Sequence, residues 1–119
     1  MKGFKKGVLF ALMFYCSHAY SAAVTGYVTK INLHSDSWST YNVSDKAMMS
    51  IYVEGLPPGC NKVGGDSRVV ITTDHPLYNS VYSLVLSAKV SGKKIRVEYL
   101  STCTHRADGW DFGYISLVE

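Results

Sequence analysis

Outside the first 21 residues, which read as a removable leader, the side chains most able to do chemistry are His34, His75 and His105, Cys60 and Cys103, and ten aromatics. A hydrolase triad needs a nucleophile, a base and an orienting carboxylate that converge in space. His34, Ser35 and Asp36 have those types, but neighbours on an extended chain point apart. There is no Gly-x-Ser-x-Gly elbow, no His-Glu-x-x-His and no glycine-rich phosphate loop followed by lysine. His34 with Asp36, and His105 with Asp108, offer two ligands each where a closed zinc site takes four. The expectation is therefore a protein that binds and does not catalyse, with no catalytic residue, metal or cofactor. The aromatics are the more informative set. Trp38 and Tyr41 stand among Ser, Asn and Asp in a polar stretch. Their rings can stack on the apolar faces of sugars while neighbouring hydroxyl, amide and carboxylate groups bond sugar hydroxyls, which suits a glycan-binding loop. The alternative is that Trp38 folds back to plug one end of the domain.

The elements that position these residues follow from composition and punctuation. Lys2, Lys5 and Lys6 precede an apolar stretch, residues 7–16, and a small-residue region, residues 18–23. That is the three-part pattern of a secretory signal peptide. The apolar run is too short for the ~20 residues of a membrane span. Cleavage after Ser21 is favoured over cleavage after Ala23. Tyr15 stands before Cys16, where lipid attachment requires a small residue. The leader takes three of the twelve basic residues and leaves nine basic against nine acidic in about 98 residues. A neutral domain of that size does not bind nucleic acid through net charge. It has one modest core, residues 22–119. Cys60 and Cys103 are the cysteines left, and an exported chain is expected to join them as a disulfide.

Alternating apolar positions mark strands at residues 24–33, 48–54, 68–73, 95–101 and 110–118. On the first, Tyr27, Thr29, Ile31 and Leu33 share a side. On the second, Met49, Ile51 and Val53 point inward and Ser50, Tyr52 and Glu54 outward. On the last, Phe112, Tyr114, Ser116 and Val118 share a side, with Phe112 and Tyr114 taken as core. Leu77, Val81, Leu84, Val85 and Ala88 recur at helical spacing. Thr73 or Asp74 is expected to cap that helix, Pro76 to fit its first turn, and Gly92 to end it. Residues 81–86 could also pass as a strand, but the cap, the stop and the length favour a helix. A second stripe, Tyr78, Tyr82 and Leu86, either widens the core face or contacts another subunit. Three strands, one helix and two strands are the element order of an OB-fold, a five-stranded partly open barrel. An antiparallel sheet packed on one helix has the same order.

Three stretches carry a family resemblance: residues 24–31 (Val-Thr-Gly-Tyr-Val-Thr-Lys-Ile), residues 84–92 (Leu-Val-Leu-Ser-Ala-Lys-Val-Ser-Gly) and residues 95–99 (Ile-Arg-Val-Glu-Tyr). Together the chain resembles the B subunit of subtilase-cytotoxin-type pentameric toxins and small exported proteins of Gram-negative bacteria with the same layout. The resemblance implies an OB-type barrel, a ring of five subunits, a periplasmic or secreted location and a sialylated glycan ligand. It places ligand contacts at Thr25, before the first-strand glycine, and Tyr99, at the end of the fourth strand; the alternative is that Thr25 is an ordinary strand residue and Tyr99 belongs to the core. The expected glycan rim is then Thr25, Trp38, Tyr41 and Tyr99, with Tyr78, Tyr82 and Leu86 as subunit contacts. The chain departs from that family in its cysteine arrangement and in a shorter link between strands four and five. The rival reading is a periplasmic structural or inhibitory protein that binds a protein partner through its helix face.

Overall fold

The computed structural model describes residues 21–35 and 46–118. Trp38 and Tyr41 lie outside the described residues, as does all but the last residue of the expected leader. The elements are β1 (Ser21–Gly26), β2 (Val28–His34), β3 (Met48–Val53), a 3-10 turn (Gly59–Asn61), β4 (Arg68–Thr72), α1 (Tyr78–Ser91), β5 (Ile95–Leu100) and β6 (Trp110–Leu117). The domain is mainly β with one helix. Its strands form one mixed sheet in the order β1-β5-β6-β4-β3-β2. All neighbours are antiparallel except β4 and β6, which run parallel.

The expected five strands are thus six, because the first one divides at Tyr27. Its first half pairs with β5 and its second half with β3, on opposite edges of the sheet. A flat six-stranded sheet would hold its edges about 24 Å apart. Gly26 and Val28 are two Cα steps apart, about 7 Å. The sheet therefore curls until its edges approach at this residue. Gly26 makes the approach possible. A Cβ there would sit 2.4 Å from the Glu54 carbonyl oxygen, while the Glu54 N–H donates to the Tyr27 carbonyl at 2.9 Å.

Two bulges shift the expected alternation. β2 skips a residue between Val28 and Lys30, and β6 skips Gly113 opposite the Glu98–Tyr99 step. An unpaired residue exchanges the faces of everything after it. Val28 before the first bulge is buried, Thr29 and Lys30 are both exposed, and Ile31 beyond it packs against the core, so Val28 and Ile31 share a side that strict alternation would separate. Phe112 stays in the core, but Tyr114 turns outward and is 52% exposed, while Ile115 packs against the core. Tyr114 as a core residue is corrected on this ground. A side chain at position 113 would approach the Glu98 carbonyl to 2.8 Å, so glycine suits the bulge.

Inside the curl, Met49, Ile51, Val69, Ile71, Ile95 and Val97 meet Val81, Val85 and Ala88 of α1. Met49, Ile51 and Val53 point inward as expected. Ser50 does not face water, because the outer face of β3 and β4 is also covered and Met48, Ser50, Arg68, Val70 and Thr72 are buried there. The helix ends as its glycine predicts: Gly92 has φ 69° and the Lys93 N–H bonds the Ala88 carbonyl at 3.0 Å. Its start differs from expectation. Leu77 is the N-cap residue, and its N–H donates to His75 Nδ1 at 3.0 Å. Asp74 is drawn away by Lys46 at 2.8 Å and by the Thr72 hydroxyl at 2.5 Å, and these bonds hold its carboxyl down at about 2.

Candidate ligand-binding face

Thr25 and Tyr99 lie on opposite faces of the sheet. Thr25 pairs with Arg96, and residues directly opposite in an antiparallel pair share a face. Arg96 and Glu98 alternate with buried Ile95, Val97 and Tyr99, so Thr25 points outward. Tyr99 points into the core, 6% exposed, with its ring 4.8 Å from that of Trp110. Burial pushes its phenol up. Among the described residues, therefore, no rim joins Thr25 and Tyr99.

What surrounds Thr25 is the outer face of β1, β5 and β6. One row is Thr25, Arg96 and Ser116; the next is Ala23, Glu98 and Tyr114; Ser21 lies opposite Leu100. Tyr27 continues the same side, 44% exposed, with the Lys94 Nζ 5.4 Å from its ring centre. Arg96 donates to Glu98 in an ion pair, and in the uncut chain the Ser21 hydroxyl donates to the same carboxylate at 3.3 Å, a bond that cleavage after Ser21 removes. The Arg96 hydrogen bond, first, holds the Glu98 carboxyl below the usual range, against the opposing effect of burial. Two exposed tyrosine rings thus flank hydroxyls, a guanidinium, an ammonium and a carboxylate. Such a surface can stack a ring and bond its substituents, but it has no nucleophile–base pair. Arg96 and Glu98 were legible as the outward positions of their strand. Tyr114 was not, because the bulge at Gly113 decides which way it points.

A second cluster serves the architecture. The disulfide Cys60–Cys103 (Cα–Cα 6.2 Å) joins the turn after β3 to the link between β5 and β6, as expected. Asp108 lies at the centre of this junction. It accepts from Arg68 Nη2 at 2.7 Å and from the Asp66 N–H at 3.2 Å. Gly59 packs so closely that a Cβ would fall 2.1 Å from the Asp108 carbonyl carbon. Trp110 Nε1 donates to the Pro57 carbonyl at 3.0 Å. Arg68 also reaches Ser50 at 3.4 Å and Tyr52 at 3.5 Å. Burial works to raise the Asp108 carboxyl, but the Asp66 N–H and Arg68 outweigh it and the group sits below its ordinary value. Asp111 holds the far end of the same link, accepting from the Thr102 hydroxyl at 2.6 Å and the Thr104 hydroxyl at 2.6 Å.

The histidines are dispersed. His75 Nδ1 accepts from Leu77, and its ring meets Phe112 edge-on at 5.5 Å. His34 ends β2, and His105 is exposed in the β5–β6 link. Asp108, paired above with His105 as a candidate ligand, is taken up by Arg68 and Asp66 instead. Among the described residues no group of three or more His, Cys, Asp and Glu side chains could hold a metal ion, and no helix is long and apolar enough to cross a membrane. In comparison with known proteins, no family model, curated protein or solved structure matches the chain.

Proposed function

We propose that this chain is an exported, non-enzymatic binding protein that takes a cell-surface glycan on the outer face of β1, β5 and β6. The observation that carries the reading is the placement of Tyr27 and Tyr114, both exposed, around Thr25, Arg96, Glu98 and Ser116. Aromatic rings offer stacking area at small cost in side-chain freedom, and the polar groups between them are open to hydroxyl partners. The proposal keeps Thr25 and exchanges Tyr99, a core residue, for Tyr114. The resemblance to toxin B subunits points to the same class of ligand. The test is an array of immobilised glycans followed by Tyr114→Ala and Thr25→Val on whatever binds. Tyr114→Ala is expected to weaken binding roughly tenfold and Thr25→Val a few-fold. No binding above background, or two variants that bind like the parent, counts against the reading.

An OB-like barrel is the architecture we infer for this surface. It is supported by edge strands that follow one another in the chain and by the helix between β4 and β5. Export to the periplasm or beyond is supported by the leader pattern and the disulfide. Of the two cleavage points, Ser21 is favoured, because cutting there removes one of the six β1–β5 pairs, whereas cutting after Ala23 removes three.

A second reading rests on α1. Tyr82 and Leu86 are exposed there, while Tyr78 leans into the core. That apolar strip supports self-association, in a ring of five or otherwise, or a protein partner. Two mass measurements on the exported protein, one denatured and one native, test the cleavage point and self-association. A denatured mass beginning at Ala22 and a native mass of several chains are expected. A mass beginning at Val24 overturns the favoured cut, and a single-chain native mass overturns self-association.

A further inference from the structure

From Asp74 to Glu98 the chain passes no acidic residue but carries Lys89, Lys93, Lys94 and Arg96. All four belong to one corner of the fold, where α1 ends and β5 begins. Lys89 lies in the last turn of α1, Lys93 and Lys94 follow the Gly92 cap, and Arg96 is on the outer face of β5 beside Thr25. The three lysines are exposed. Among the described residues none of them forms an ion pair, whereas Arg96 is matched by Glu98. The mature chain is neutral, so a basic corner leaves the remainder acidic.

A helix end attracts cations, because its last carbonyls carry partial negative charge. That accounts for Lys89 and Lys93. It does not account for Lys94, whose ammonium lies toward the Tyr27 ring, nor for Arg96 further along the strand. We propose that this corner binds a polyanionic, sulfated glycan chain, with Lys93 and Lys94 supplying unpaired charge and Tyr27 and Thr25 supplying sugar contacts. The inference rests on the glycan reading above and narrows its ligand class. A single carboxylate needs one cation, and the guanidinium nearest Thr25 is already engaged. Several unmatched ammonium groups along an exposed turn suit an anion that repeats. Zero net charge and an open face with hydroxyls and aromatic rings favour a sugar polymer over nucleic acid, which is held by a strong overall positive field.

The probes are a heparin-type sulfated polysaccharide, its chemically desulfated form, and duplex DNA. Each is presented to the full exported protein and to the double variant Lys93→Gln/Lys94→Gln at several salt concentrations. The parent is expected to bind the sulfated chain at low salt and release it as salt rises, with little retention on the other two. The double variant is expected to bind about tenfold or more weakly, with a shallower dependence on salt by roughly one counterion per lysine removed. Both substitutions are on exposed side chains, so the thermal melt should stay near that of the parent. Equal binding of the desulfated chain overturns the polyanion inference and leaves glycan binding standing. DNA bound as tightly as the sulfated chain overturns the assignment to sugar. A double variant that matches the parent on the sulfated chain removes this corner as the site. Failure on every polysaccharide together with a blank glycan array overturns both proposals.

Discussion

Asp108→Ala is expected to destabilise the domain by about 3 kcal/mol, at the lower end of what stranding a buried cation costs. Arg68 is 8% exposed, and its shortest polar contact is the 2.7 Å bond to Asp108. Removing that carboxylate leaves the guanidinium with Asp66 at 3.7 Å and with the hydroxyls of Ser50 and Tyr52. It also strips the Asp66 N–H of its acceptor. The half-exposed position of Asp108 and the nearby Asp66 keep the cost from rising further. A domain of this size holds only about 5–15 kcal/mol in total, so the loss should be plain in urea unfolding. Asp108→Asn keeps an acceptor and should lose about half as much. Arg68→Met leaves the Ser50 hydroxyl and Asp108 without the guanidinium, but Asp108 is partly exposed and can be hydrated, so the loss should fall below that of Asp108→Ala. The same carboxylate makes stability depend on pH. Its folded value lies below the ordinary 3.8, so its contribution is complete above that pH and fades as pH falls through the folded value. Asp108→Ala should flatten that part of the acid limb. An Asp108→Ala protein that unfolds at the parent urea concentration would sink this account of the junction.

Loss of the Cys60–Cys103 bridge is the second large effect. The cysteines are 43 residues apart, and closing such a loop in the unfolded chain is worth roughly 4 kcal/mol at most. Cys60→Ser/Cys103→Ser is expected to lose most of that, yet to remain folded when oxidation is removed as a variable. The turn that holds Cys60 is also tied down by Gly59 against Asp108, by the Gly59 N–H bond to the Asp66 carbonyl at 2.9 Å and by Trp110 on Pro57. Because the bridge and the Asp108 contacts hold the same two segments, their losses should not add. Asp108→Ala should cost less in the Cys-free background than in the parent. Strictly additive losses, measured by urea unfolding of the four proteins in this cycle, would mean that the two devices act independently.

Much of the architecture could be read along the chain, because local rules governed it. Val81, Val85 and Ala88 recur at the helical period, and Gly92 is the residue that tolerates a left-handed stop. The helix accordingly runs Tyr78–Ser91. Ile95, Val97 and Tyr99 alternate with Arg96 and Glu98, and the strand obeys. The cysteine pairing followed from setting Cys16 aside with the expected leader, which leaves Cys60 and Cys103. Expectation and structure part where a single residue takes its conformation from a distant strand. Thr29 and Gly113 look like ordinary members of their runs, yet each is skipped in the ladder, and faces exchange beyond it. Ser50 reads as an outward residue, but Arg68 bonds its hydroxyl and Gly109 packs against Val70 beside it.

Element types, their approximate limits and the disulfide were therefore legible from residue order, since propensity, period and cysteine parity act over a few neighbours or by simple counting. The division of the first strand and the outward turn of Tyr114 were not. Each depends on which strand lies alongside, and that partner is 50 or more residues away for Thr25 and Arg96, and for the β1–β5 pairing as a whole. Pairing across such distances is selected by the packing of the whole sheet, and the choice of face, on which any binding surface depends, is settled only when that packing is complete.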